Sequence, residues 1–140
     1  MSSYTKTTST FIKKNVRYSD LSMNFGRNPF NSDLNRITEV DSVKRSVKSL
    51  ILTNRYERLL DPEIGGNIRA LLFEPMSSMT TTVLEDYITD TIKNYEPRAI
   101  LDKVVATPDY DRNSYEVTIQ FRINSVEQPQ TLEVALERVR

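Results

Sequence analysis

The chain of 140 residues has no cysteine, no histidine and no tryptophan, and only three glycines. Without cysteine it can form neither a disulfide nor a thiolate metal site. Without histidine it lacks the commonest metal ligand and the commonest general base, so catalysis would have to rest on carboxylates, Lys, Tyr or Ser/Thr. Nothing in the sequence calls for a cofactor. No apolar run is long enough to cross a bilayer. Met1–Thr10 lacks the apolar stretch of a signal peptide, so the reading is of a chain with no membrane partner.

What is present is a polar, charged chain, 38% hydrophobic and 27% charged, as suits one soluble domain with a modest core. Its formal charge is zero but unevenly spread. Up to Arg58 there are eleven Lys/Arg against five Asp/Glu; from Leu59 onward there are eight against fourteen. A basic front and an acidic back suit head-to-tail contacts between copies, or two different partners. No basic helix carries interleaved aromatics, so no nucleic-acid partner is expected.

The first seventeen residues are Ser/Thr-rich and basic, and they read as a flexible arm (1–17) ahead of a single domain (18–140). Alternation over Tyr18–Phe25, with Leu21, Met23 and Phe25 on one face, predicts a short strand. Gly26 breaks it, and Asn28-Pro29 and Asn31-Ser32-Asp33 read as loop. Asp41 is placed to cap a helix running to about Thr53, with Val43, Val47, Leu50 and Ile51 as its apolar stripe. A short helix over Asn67–Phe73 turns Ile68, Leu71 and Leu72 inward. The strongest helical pattern follows: Leu84, Tyr87, Ile88, Thr91, Ile92 and Tyr95, entered either by a Thr82–Glu85 capping box or a turn earlier at Ser77 or Ser78.

Asn94-Tyr95-Glu96-Pro97-Arg98 closes that helix. Proline disfavours the α conformation before it and fixes φ, so Glu96 and Arg98 flank a stiff corner. Beyond it the period becomes two. Leu101, Val104 and Val105 mark a strand to about Thr107 with blurred alternation. Pro108–Asn113 reads as a turn. Tyr115–Ile123 alternates cleanly, Gln128-Pro129 reads as the next turn, and Leu132, Val134 and Leu136 form a last strand. The fold class is therefore α+β: a three-stranded antiparallel C-terminal meander plus a short N-terminal strand, packed against two main helices and one short helix. The last strand is expected at a sheet edge, where unpaired backbone groups can accept another chain. Glu133, Glu137, Arg138 and Arg140 read alternatively as gatekeepers against that, the commoner meaning of charge on an edge strand.

The ordered set Tyr18-Ser19-Asp20-Leu21, Val47-Lys48-Ser49-Leu50-Ile51-Leu52-Thr53, Asp61-Pro62-Glu63-Ile64-Gly65, Leu71-Leu72-Phe73-Glu74 and Glu96-Pro97-Arg98 resembles the baseplate wedge proteins of contractile phage tails. This is the sheath-initiator family, sometimes labelled lysozyme-like, with a counterpart in type VI secretion baseplates. The chain departs from the family pattern at Tyr56, where a glycine often stands, at Leu59-Leu60 in place of Pro-Phe, and at Ile64 in place of Phe. Its Gly26–Glu39 insert is also longer. The resemblance implies a non-catalytic virion protein of the inner baseplate, assembled in the host cytoplasm. Its implied partners are wedge proteins, bound at Glu96, Pro97 and Arg98, and the tail sheath, templated by the strand of Leu132, Val134 and Leu136. Tail tube proteins would lie nearby. The alternative is a cell-wall glycosidase using two of Glu57, Glu63, Glu74 and Glu96. That chemistry requires carboxylates about 5–10 Å apart, one with a raised pKa.

Overall fold

The structure, a computed structural model, describes residues 18–124 and 126–138. The arm read over 1–17 lies outside the described residues. The elements are β1 (Ser19–Leu21), β2 (Arg36–Thr38), α1 (Val40–Leu52), α2 (Ile68–Leu71), α3 (Ser78–Tyr95), β3 (Ala99–Asp109), β4 (Ser114–Ile123) and β5 (Val126–Glu137). β1 and β2 form a small antiparallel sheet, and the C-terminal strands form the meander β3-β4-β5.

The apolar stripes behave as their periods require. Val43, Val47, Leu50 and Ile51 of α1 are buried, as are Leu84, Ile88 and Ile92 of α3. All of these except Leu50, which turns toward β1, meet Tyr115, Val117, Ile119, Phe121 and Ile123 of β4, with Val134 and Leu136 of β5, in one core. β4 alternates along its length because one face lies on this core and the other faces outward. Helix α3 packs along β3, and α1 reaches β5.

Several local expectations are corrected. Only Ser19–Leu21 of the first segment is strand; Phe25 N–H bonds Ser22 C=O at 3.1 Å in a turn. Leu21, Met23 and Phe25 are all exposed, because the turn after Leu21 ends the alternation that would have put them on one face. The insert is not simply loop: it returns through β2 and pairs Asp20 with Ile37. Asp41 does not cap α1, which begins one residue before it. The N-cap position falls to Glu39, whose N–H bonds Tyr18 C=O at 2.8 Å, so β-pairing sets the helix entry. Ser77 caps α3, its hydroxyl accepting from Thr80 N–H at 3.1 Å. Glu85 forms no capping box; its carboxylate accepts instead from Ala106 N–H of the outer strand β3 at 2.8 Å.

The blurred alternation of β3 has a structural cause. Its register with β4 jumps between Leu101 and Lys103, leaving Asp102 as the extra residue of a bulge, and the inward parity changes there. Asp102 is held by a forked pair with Arg122, at 2.7 Å for its shortest contact. The first proline turn begins later than the sequence suggests and the second comes earlier. Pro108 lies within β3, opposite Tyr115, and the turn follows at 110–113. Pro129 lies within β5, where residues 127–129 bulge opposite Arg122. Both prolines sit on outer strands, which can lose a backbone donor without breaking a central ladder.

Gly65 stands where the backbone resists any side chain. Its φ is 120°, and a Cβ there would stand 2.6 Å from Thr53 C=O. Gly65→Ala is expected to cost about 2 kcal/mol or more, combining left-handed strain with the clash. Urea denaturation checks this; an unchanged midpoint would mean that the 53–66 closure yields freely.

Candidate partner-binding surfaces

The corner is built by three separate parts of the chain. Helix α3 ends at Tyr95, and Glu96 leaves helical geometry at φ −129° and ψ 73°, as a residue before proline must. Its N–H still bonds Ile92 C=O at 2.9 Å, and its C=O accepts from Ala99 N–H at 3.1 Å, so the bend is pinned on both sides of Pro97. Arg98 then turns back on Glu96. Nε donates to Oε1 at 2.5 Å and Nη2 to Oε2 at 2.6 Å, a bidentate charge-assisted pair. Ser46 Oγ of α1 donates to the same Oε2. The Tyr18 ring lies 5.5 Å from the guanidinium, within cation–π range.

This geometry divides the roles of the two charges. The Glu96 side chain is only 3% exposed, whereas that of Arg98 is 34% exposed and Pro97 is open to solvent. Burial alone would raise the Glu96 carboxyl pKa. The hydrogen bonds from Arg98 and Ser46, with the Arg98 charge, outweigh burial and hold it below the ordinary carboxylate value. The same hydrogen bond from the other side raises Arg98. Glu96 therefore faces inward and positions Arg98. Of the five N–H donors of a guanidinium, two are spent on Glu96, and the others meet no hydrogen-bond acceptor among the described residues.

The second surface is β5. Among the described residues it pairs with β4 alone, so its other side is a sheet edge. Val134 and Leu136 are each 3% exposed, and Leu132 packs against the core. What the strand offers a neighbour is consequently its backbone rather than these side chains. An open groove of about 330 Å³ lies beside it, lined by Ile51, Leu52, Ile68, Leu72 and Leu136. Helices α1 and α2 thus supply an apolar wall next to the edge.

Of the carboxylates that glycoside hydrolysis would call on, Glu57 and Glu96 are both engaged within the chain. Glu57 Oε2 is occupied by Asn54 N–H at 2.8 Å. Glu96 is driven in the direction opposite to that of a general acid. The sequence reads Asn54–Gly66 as a polar connection, which it is, but that reading misses the exposed apolar tip; Leu59-Leu60 was the available signal.

The chain and its fold are similar to those of known proteins. The family profile described as "Baseplate wedge protein gp25" matches residues 38–128. Baseplate wedge protein gp25 of Enterobacteria phage T4 is 31% identical over 119 residues, covering 85% of this chain and 88% of that protein. Three solved structures share the fold. A Geobacter sulfurreducens crystal structure described as a tail lysozyme has a TM-score of 0.66 at 22% identity, over 71% of this chain and 91% of that one. A chain of the anti-feeding prophage baseplate has a TM-score of 0.60 at 18% identity, over 88% and 87%. A chain of the postcontracted pyocin R2 baseplate has 0.51 at 17%, over 80% and 96%. Matched over most of its length by profile and relative alike, the chain belongs to the baseplate wedge protein gp25 family, as a non-catalytic structural subunit in the baseplate of a contractile tail.

Proposed function

We propose that this subunit couples two neighbours in the inner baseplate around the tail tube. The Glu96-Pro97-Arg98 corner binds the helical bundle of the wedge proteins, and the β5 edge templates the first ring of sheath. Residues 1–17 act as an arm beside one domain, 18–140. The observation that carries the reading is the corner's internal order. Glu96 is satisfied within the chain, so Arg98 is held with donors pointing away before any partner arrives, which lowers the entropy lost on binding. The apolar groove along β5 supports the second half, because an added strand would have both backbone partners and a wall for its side chains.

Arg98→Lys tests the corner. It keeps a cation beside Glu96 but loses the planar fork. Affinity for purified wedge subunits of the same tail, measured by calorimetry, is expected to fall by about tenfold, the scale of an interface anchor. The circular dichroism spectrum should stay that of the folded protein. Unchanged affinity in both Arg98→Lys and Pro97→Ala would remove the corner from the interface.

A further inference from the structure

The connection between α1 and α2 holds two leucines wholly in solvent: Leu59 and Leu60 are each 100% exposed, and Tyr56 is 77% exposed. An exposed leucine alone carries little information. Here the backbone beneath the pair is built. Tyr56 N–H bonds Pro62 C=O at 2.8 Å across the neck of the loop, and Ile64 N–H bonds Asp61 C=O at 3.2 Å. Asn54 and Glu57 hold each other through Asn54 N–H to Glu57 Oε2 and Glu57 N–H to Asn54 C=O. Tyr56 sits at φ 68°, in the left-handed region where an aromatic residue is strained. Tyr95 Oη donates to Glu63 C=O at 2.7 Å, fastening the loop to the last residue of α3, next to Glu96. Residues 55–61 are all exposed, so the core gains nothing from this ordering.

Beside the loop runs a groove of about 440 Å³ between β1 and α1. Leu21, Met23, Leu50 and Ile64 give it an apolar strip among polar side chains, and Arg45 and Arg58 stand on its walls. Neither arginine is paired with a carboxylate among the described residues; Arg45 gives Nη1 to Leu21 C=O at 2.9 Å. The groove's one carboxylate, Asp20, accepts from Leu21 N–H and lies in the field of Arg98. Ser46 belongs both to this groove and to the Glu96 pair.

We propose that the 54–63 loop and this groove form a second docking surface, continuous with the corner, for a helical segment of the wedge partner that carries carboxylates beside an apolar face. The proposal rests on the corner's binding the wedge. Leu59 and Leu60 are its apolar anchors, and Arg45 and Arg58 pair with the partner's carboxylates. Charge selects this occupant. The chain's own segment Met1–Arg17 carries four cations and no acid, so the basic walls repel it. A second copy docking two-fold would set the same arginines against each other, and a head-to-tail copy, whose acidic half could meet them, is the outcome that the dimer arm of the test detects.

The test uses the full chain and purified wedge subunits of the same tail. Leu59→Asp/Leu60→Asp and, separately, Arg58→Glu are each expected to lower affinity by about tenfold or more, with an unchanged melting temperature. Unchanged affinity in both, while Arg98→Lys weakens binding, overturns the second surface and leaves the corner standing. Unchanged affinity in all three and in Pro97→Ala overturns both. A leucine variant that dissociates a wild-type dimer yet still binds the wedge shows that the surface serves a second copy, which also overturns the proposal.

Discussion

Truncating the chain before Gln130 is expected to abolish cooperative folding, not to give a folded subunit with a missing edge. β5 is paired with β4 from Phe121↔Gln130 to Ser114↔Glu137. Removing it deletes Val134 and Leu136, each 3% exposed, and uncovers one side of the strand that carries Val117, Ile119 and Phe121. Burying one such side chain contributes about 1.5–3 kcal/mol. Two are lost outright, and their neighbours are opened to water in a domain whose net stability is of order 5–15 kcal/mol. Urea denaturation followed by circular dichroism checks this. A sharp transition at the wild-type midpoint would show that α3, β3 and β4 suffice. The consequence is practical: deleting β5 is not a clean test of sheath templating, because edge and core are two sides of one strand.

Glu96→Gln should be the most damaging conservative change near the corner. It preserves shape and leaves Ser46 an acceptor, but it removes the charge that Arg98 grips with two hydrogen bonds. Breaking a fully buried pair costs about 3–5 kcal/mol. Arg98 is one-third exposed and can recover some water, so about 2 kcal/mol is the better expectation. Arg98→Ala should cost more, because it strands a carboxylate that is 3% exposed with Ser46 as its remaining side-chain donor.

The acid dependence follows from the same pair. Glu96 has a lowered folded-state pKa, so its contribution is fully present above the ordinary carboxylate value of about 4.3. That contribution is lost as pH falls through the folded value. Wild type should therefore lose stability below about pH 4 more steeply than Glu96→Gln, which has no proton to take up there. Parallel curves for the two proteins in urea titrations between pH 3 and 7, the range bracketing carboxylate titration, would show that the pair contributes nothing to stability.

Much of this architecture was readable because it is local. A helix shows its buried face every three to four residues, and α1 and α3 carried that stripe in Val43, Val47 and Ile51 and in Leu84, Ile88 and Ile92. A half-buried strand shows its face every second residue, as β4 does. The corner was readable because Pro97 acts on its neighbours through sterics alone. The misplacements arose where a residue's meaning depends on a distant partner. Proline breaks a central strand but not an outer one, and nothing near Pro108 or Pro129 says that β3 and β5 are outer strands. Glu85 had the spacing to cap its own helix, yet it caps a donor on β3.

The amino-acid pattern by itself determined where helices and strands lie, that the last third is a meander, and that a rigid bend separates it from α3. It also excluded thiol and imidazole chemistry outright. Only the tertiary structure decided which way the charges at the bend face. Ser46, fifty positions away, and the layer around it bury Glu96 and leave Arg98 outward. Periodicity reports which side of an element avoids water; it cannot report which element arrives to cover it. That depends on how α1, the meander and the 54–63 loop meet in space, and through such meetings an ordinary ion pair becomes a positioned contact.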